Sequence, residues 1–127
     1  MSIETQSVLG QSFTTAYGPA ASSYGLRELF EYRNHDKMAL YLRMYPELTS
    51  FLEESRYYLT KHFGVAAKFT LEVVRDPEAQ QQQLMVYINT ALPVDQALQR
   101  LEKLDDEWFL DHTNHLGHLI NFNLEVI

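Results

Sequence analysis

The last third of the chain, residues 93–127, carries the pattern that most constrains the fold. Its first half has apolar residues that recur at helical spacing on one narrow stripe: Ala97, Leu101, Leu104 and Trp108. Its second half alternates at the period of a β-strand, with one side formed by His118, Ile120, Phe122, Leu124 and Val126. The sequence therefore predicts a helix that leads through a polar loop at residues 112–117 into a strand, with both elements packed on one shared core and His118 on the core-facing side.

Helix boundaries are marked by capping residues in the first half of the chain. Ser23 is a candidate N-cap for a first helix, and Asn34 is a candidate N-cap for a second. A third helix is predicted to begin at Pro46 and to end before Gly64, because proline suits the first turn and glycine suits the residue that follows the last turn. The N-terminal half is therefore predicted to be helical.

Two further strands are predicted between residues 68 and 89. Residues 68–73 and 84–89 each alternate between apolar and polar side chains. Asp76 and Pro77 start a turn between them, because proline cannot donate a hydrogen bond in the ladder of a central strand. These features together predict a β-hairpin with a loop of several residues.

The predicted fold class is α+β, with N-terminal helices followed by a β-hairpin, a helix and a final strand. We expect a three-stranded, mainly antiparallel sheet in a split β-α-β arrangement, with the first strand between the other two. The alternative places the last strand beside the second one, in a mixed sheet. Residues 1–24, rich in Ser, Thr, Gln, Gly and Ala, are predicted to be a flexible arm, and residues 25–127 to be a single domain.

Composition narrows the class of protein. A chain of 127 residues with 46% hydrophobic residues can bury a core without a disulfide or a structural metal. The absence of cysteine excludes a thiolate nucleophile and any cysteine-ligated metal site. No apolar run approaches the roughly 20 residues that span a bilayer, and the first residues lack signal-peptide features. A cytoplasmic protein without a membrane partner is predicted.

The charge distribution bears on nucleic-acid binding. The formal net charge is −7, and after Gly64 only four Lys and Arg stand against ten Asp and Glu. Such a surface repels a phosphate backbone, so the sequence disfavours nucleic-acid binding. The residues that keep it open as a third hypothesis lie in the near-neutral first half: Arg33, Arg43, Arg56 and Tyr57.

Several segments resemble a known family. The clearest are residues 94–98, residues 100–101 and the run Leu104-Asp105-Asp106-Glu107-Trp108-Phe109-Leu110-Asp111, together with residues 45–48 and 74–77. These segments are similar to a family of short uncharacterised proteins associated with cyanobacteria. The resemblance covers residues from about 26 to the end, and it implies one domain but no activity, cofactor or catalytic residue.

An acidic and histidine-containing segment is the candidate ligand site. Four carboxylates lie in or beside the second half of the last helix, where the helix dipole disfavours negative charge. The candidate binding residues are Asp105, Asp106, Asp111, His112 and His115. Histidine and carboxylate groups bind zinc or non-haem iron, but a spacing of three positions between successive histidines is a poor fit to one ion, so neither a metal nor a cofactor is predicted.

The second candidate site is a surface for protein contacts. The strand alternation puts a mixed set of side chains on the side of the sheet away from the helices: Thr70, Glu72, Met85, Tyr87, Asn121 and Asn123. Tyr57 is predicted to be exposed on the third helix and is a further interface candidate. No phosphate-binding loop, nucleophile elbow or catalytic triad is present, which disfavours an enzyme.

The predicted function is therefore that of a small acidic interaction or regulatory module without enzyme activity. It would act through protein–protein contacts, and it would pair with itself as a dimer or with another protein. The alternative is a small ligand- or metal-binding domain or enzyme, with its Asp and His residues at the junction of the last helix and strand.

Overall fold

The structure, a computed structural model, describes residues 25–76, 78 and 81–125. Along the chain it contains α1 (residues 25–29), β1 (Glu31–Arg33), α2 (His35–Met44), α3 (Glu47–Phe63), β2 (Lys68–Asp76), β3 (Gln81–Asn89), α4 (Val94–Glu107), a 3-10 helix (Phe109–His112), α5 (Thr113–Leu116) and β4 (Ile120–Leu124). The predicted arm at residues 1–24 and the predicted cap at Ser23 lie outside the described residues. No helix in the described part of the chain is long and apolar enough to cross a membrane.

The predicted α+β class is confirmed, but the predicted sheet is wrong in its detail. The sheet has four strands in the order β1-β2-β3-β4, and it is mixed rather than mainly antiparallel. β2 and β3 form the predicted antiparallel hairpin, whereas β1 runs parallel to β2 and β4 runs parallel to β3. The last strand therefore lies beside the second strand of the hairpin, as in the mixed-sheet alternative, because the other side of β2 is already paired with β1.

The strand β1 was predicted as part of a helix. Leu26 and Phe30 are both buried, which gives this segment a helical apolar pattern, and the Phe30 N–H does donate to the Leu26 carbonyl at 2.9 Å. The chain then becomes extended, and Tyr32 pairs with Leu71 of β2. A strand of three residues is stabilised by its neighbour and carries too short a pattern to be recognised by itself.

The helices pack on one side of the sheet and bury a single core. The core-facing residues of the three longest strands are Phe69, Leu71, Val73, Leu84, Val86, Ile88, Ile120 and Phe122, all buried. From α4, the predicted stripe is confirmed, with Ala97, Leu104 and Trp108 buried and Leu101 packed against the core. Each leucine that is fully buried contributes about 1.5–3 kcal/mol of hydrophobic stabilisation.

The predicted helix caps at Asn34 and Gly64 are confirmed. The Asn34 side chain accepts a hydrogen bond from the Lys37 N–H at 3.2 Å, which pairs one of the free donors in the first turn of α2. Gly64 ends α3 with a φ of 88°, a conformation that L side chains rarely adopt. Local signals of this kind fix where α2 and α3 lie along the chain.

The segment between α4 and β4 differs from its prediction. Residues 112–117 were predicted as a polar loop, but a 3-10 helix and the single-turn α5 occupy residues 109–116. His118 lies in the turn that follows, with an exposed side chain, and β4 begins only at Ile120. The prediction that His118 occupies a core position of the last strand is therefore wrong.

Candidate functional site

The surface of the sheet opposite the helices is the first candidate, and we call it the sheet face. The strand register aligns Glu72, Met85 and Asn121 in one row, and Thr70, Tyr87 and Asn123 in the next. These six residues are the ones that the alternation in the sequence assigned to one face. In the part of the chain that the structure describes, no helix covers this face, because α2, α3 and α4 pack on the other side.

Arg33 lies across the sheet face and connects its two edges. Its guanidinium is 3.3 Å from the carboxylate of Glu72 and 2.7 Å from that of Glu125, which follows β4. The same group lies 5.2 Å from the centre of the Tyr87 ring, within the range of a cation–π contact. The pKa of Arg33 is raised, first by its hydrogen bond with Glu125. Tyrosine, methionine and arginine are the residue types enriched at protein interfaces, and the centre of the sheet face combines all three.

Two outward N–H groups of β4 are paired locally, on the edge that no described strand occupies. The Phe122 N–H donates to the Asn121 side-chain oxygen, and the Leu124 N–H donates to that of Asn123, both at 2.9 Å. The Glu125 N–H, one position further along, instead donates to Ile88 of β3. The Phe122 and Leu124 donors therefore point away from β3, where an added strand would need them. The two asparagines thus weaken the capacity of this edge to bind another strand.

The predicted Asp and His site is spread over three elements. Asp105 and Asp106 end α4, Asp111 and His112 belong to the 3-10 helix, and His115 lies on α5. Asp106, Asp111 and His115 are exposed. Among the described residues, no group of three or more His, Asp or Glu side chains is arranged to hold a metal ion. The residues lie close in sequence, but their side chains do not form a metal-binding cluster.

His112 belongs to an aromatic cluster instead. Its ring centre lies 5.2 Å from that of Phe51 and 5.4 Å from that of Trp108. Trp108 is stacked between Phe51 and Tyr58, with ring centres 4.7 Å and 5.0 Å away, and its indole N–H donates to Glu54 at 2.8 Å. The cluster joins α3 to the segment after α4. Its buried members are Phe51, Trp108 and Phe109, which confirms the prediction that Trp108 is a core residue.

Tyr57 is exposed on α3, as predicted, but it is not on the sheet face. Its side chain is 65% exposed, and its ring contacts Tyr58 edge-to-face at 5.0 Å. Because α3 packs on the core side of the sheet, the predicted interface residues fall on two separate surfaces. A substitution at Tyr57 can therefore serve as the control for the same substitution on the sheet face.

Two of the three arginines of the nucleic-acid hypothesis, Arg33 and Arg56, form contacts within the protein. The Arg56 Nε–H donates to the Leu29 carbonyl at 3.1 Å, and the guanidinium lies 4.7 Å from the centre of the Phe69 ring. Burial lowers the pKa of Arg56. Arg33 is paired with carboxylates on the sheet face, so neither group offers a free cation to a phosphate backbone.

Replacement of Asp105 by asparagine is expected to stabilise the protein at neutral pH. Burial raises the pKa of this carboxyl, and the neighbouring Asp106 and Glu102 raise it further. The folded state therefore binds the proton more tightly than the unfolded state, so ionisation of Asp105 costs stability as the pH rises through the unfolded and then the folded pKa. The melting temperature of Asp105→Asn should exceed that of the parent chain at pH 7, and the difference should shrink below about pH 3.9.

Asp106→Asn is the matched control for this experiment, because it removes the same charge from the next, exposed position of α4. A smaller increase in melting temperature is expected for Asp106→Asn. Equal gains from the two substitutions would show that the helix dipole, and not burial of Asp105, sets the cost.

Comparisons of the chain with known protein families, with curated proteins and with solved structures found no match. The resemblance to short cyanobacterial proteins stays a prediction. The function must therefore be argued from the geometry of the described residues.

Proposed function

We propose that this chain is a small acidic interaction module without enzyme activity, and that it forms a dimer through the sheet face. The observation that carries the proposal is a four-stranded sheet on which all the helices of the described residues pack on the same side. Met85 and Tyr87 lie half-buried at the centre of the other side, in the middle strand β3. A cytoplasmic location, predicted from the sequence, is part of the same proposal.

The charges of the molecule favour contact through this face over contact through the helices. A net charge of −7 disfavours the approach of two copies in most orientations. Exposed carboxylates of α4, such as Asp95, Glu102 and Asp106, lie in the helical layer. When two sheet faces meet, these acidic helices are on the outer sides of the dimer, and their repulsion is reduced by distance.

The sheet face is also complementary to itself. In a two-fold dimer the same patch meets its own copy, so the patch must carry both members of any pair that it forms. The patch carries both signs of charge, since Arg33 is paired with Glu72 and Glu125 within each copy. Because the Phe122 and Leu124 N–H groups at the edge of β4 are already paired, contact between two sheet faces is favoured over the addition of a strand at this edge.

The mass of the protein in solution, measured by sedimentation equilibrium over a range of concentrations, tests this proposal. We expect a dimer with a dissociation constant in the micromolar range or tighter. Tyr87→Glu places a like-charge pair at the centre of the contact and should raise the dissociation constant at least tenfold. Tyr57→Glu makes the same chemical change on α3 and should leave the dissociation constant unchanged.

Two outcomes would contradict the proposal. One is a monomer at every concentration up to about 100 µM, since such a weak contact could not be maintained in the cell. The other is a dimer that Tyr57→Glu disrupts and Tyr87→Glu does not. Circular dichroism of each variant shows whether the fold is retained, and Met85→Glu provides a second test of the same face.

A further inference from the structure

A cavity at one end of the sheet has a lining that the proposed dimer does not use. It is open to solvent, has a volume of about 310 Å³, and lies between the end of β2, the beginnings of β3 and β4, and the end of α2. Its lining residues are Tyr45, Arg75, Gln81, Gln82, His118 and Leu119. A volume of this size lies at the lower end of the range of small-molecule sites, about 300–1,000 Å³.

Two polar residues that line this cavity, Arg75 and Gln82, lie at positions of β2 and β3 where the strand pattern calls for apolar ones. Val73, Leu84 and Ile120 form the last apolar row on the core-facing side of the sheet. Two positions beyond Val73 on the same side of β2 is Arg75, which pairs with Gln82 of β3. His118, two positions before Ile120, lines the same cavity. Departures from the expected pattern of this kind are concentrated at functional sites.

The floor of the cavity is held in place from the core. The buried Tyr41 hydroxyl donates a hydrogen bond to the Leu119 carbonyl at 2.9 Å and lies 3.5 Å from the Gln82 carbonyl. Burial raises the pKa of Tyr41 to about 12, so this hydroxyl stays protonated as a donor. Two of the residues that line the cavity are thereby positioned by one core side chain.

The lining residues that the structure describes offer hydrogen-bond donors and the positive charge of Arg75, and no carboxylate is among these described residues. Arg75 forms no salt bridge within the described residues, unlike Arg33 and Lys61. Its guanidinium can donate two parallel hydrogen bonds to a carboxylate or a phosphate group. The imidazole of His118 and the amide of Gln82 add donors to the same cavity.

We propose that this cavity binds a small molecule through an oxyanion, a carboxylate or a phosphate group, with Arg75 as its principal partner. The amide of Gln82 and the ring of His118 orient the anionic group, and Tyr45 contacts the rest of the ligand. This site lies on the core side of the sheet, so binding there does not require the dimer.

Titration of the full-length, nitrogen-15-labelled protein with inorganic phosphate and with citrate, followed by amide chemical shifts, tests the proposal. We expect saturable shifts at Gln82, His118 and Leu119 with at least one probe, at a dissociation constant of about 1 mM or tighter. Arg75→Ala should raise that constant at least tenfold, and His118→Gln should raise it less. The probe that binds more tightly identifies the ligand as a phosphate or a carboxylate compound.

Lys103→Ala is the control, because it removes one exposed positive charge from α4 and should leave binding unchanged. Equal weakening by Arg75→Ala and Lys103→Ala would show only a general attraction of anions and would overturn the proposal. It is also overturned if neither probe produces saturable shifts at the cavity up to about 50 mM, or if the saturable shifts lie elsewhere.

Discussion

Replacement of Trp108 by alanine is expected to lower the free energy of unfolding by about 3–5 kcal/mol, as large-to-small substitutions of buried tryptophan do. The indole is stacked between Phe51 and Tyr58, and both contacts are lost together. The carboxylate of Glu54 also loses the indole N–H that it accepts at 2.8 Å. Urea denaturation followed by circular dichroism measures the change, since the variant has no tryptophan fluorescence.

Tyr57→Ala is the control for this experiment. It removes an aromatic side chain next to the same cluster, but the residue is exposed, so the expected change is within about 0.5 kcal/mol. A loss below about 1 kcal/mol for Trp108→Ala would contradict the view that this stack joins α3 to the C-terminal segment.

The second large effect is expected at Gly117, between α5 and β4. A Cβ atom added there would lie 2.6 Å from the Thr113 carbonyl oxygen, the same oxygen that accepts the Gly117 N–H at 3.0 Å. The backbone must shift to relieve this contact, and Leu119, whose carbonyl pairs with Leu84 and Tyr41, follows it by two residues. Gly117→Ala should lower the free energy of unfolding by an amount near the upper end of the range of about 1–3 kcal/mol.

Gly25→Ala tests the cause of that effect. The added Cβ would lie at an ordinary contact distance of 3.7 Å from Glu53, so the free energy of unfolding should change by less than about 0.5 kcal/mol. A Gly117→Ala variant as stable as Gly25→Ala would mean that the turn before β4 adapts without strain.

The parts of the fold that the sequence predicts correctly depend on local signals. The cap at Asn34 and the glycine at the end of α3 act within a few residues, so they can be recognised without knowledge of the neighbours. The order of the strands depends on which edge is free. The parallel strand Glu31–Arg33 occupies the edge of β2, and its pattern of three residues is too short to be recognised as a strand from the sequence.

The candidate site, too, was predicted only where local patterns reveal it. The alternation along β3 and β4 assigns Tyr87 and Asn121 to one face, and the register places them there. Arg33 was named only for the nucleic-acid hypothesis and was not assigned to this face, because its strand was not predicted, although it pairs there with Glu72 and Glu125. His112 was predicted beside acidic residues in a loop, whereas the 3-10 helix turns its ring toward Phe51.

The asparagines at the edge of β4 limit the addition of further strands to this sheet. Repeated addition of strands would need the N–H groups of Phe122 and Leu124, which the side chains of Asn121 and Asn123 already occupy. The opposite edge, Glu31–Arg33, is only three residues long. A sheet with both borders limited in this way resists growth into a fibre, and pairing about a two-fold axis stops at a closed, finite complex.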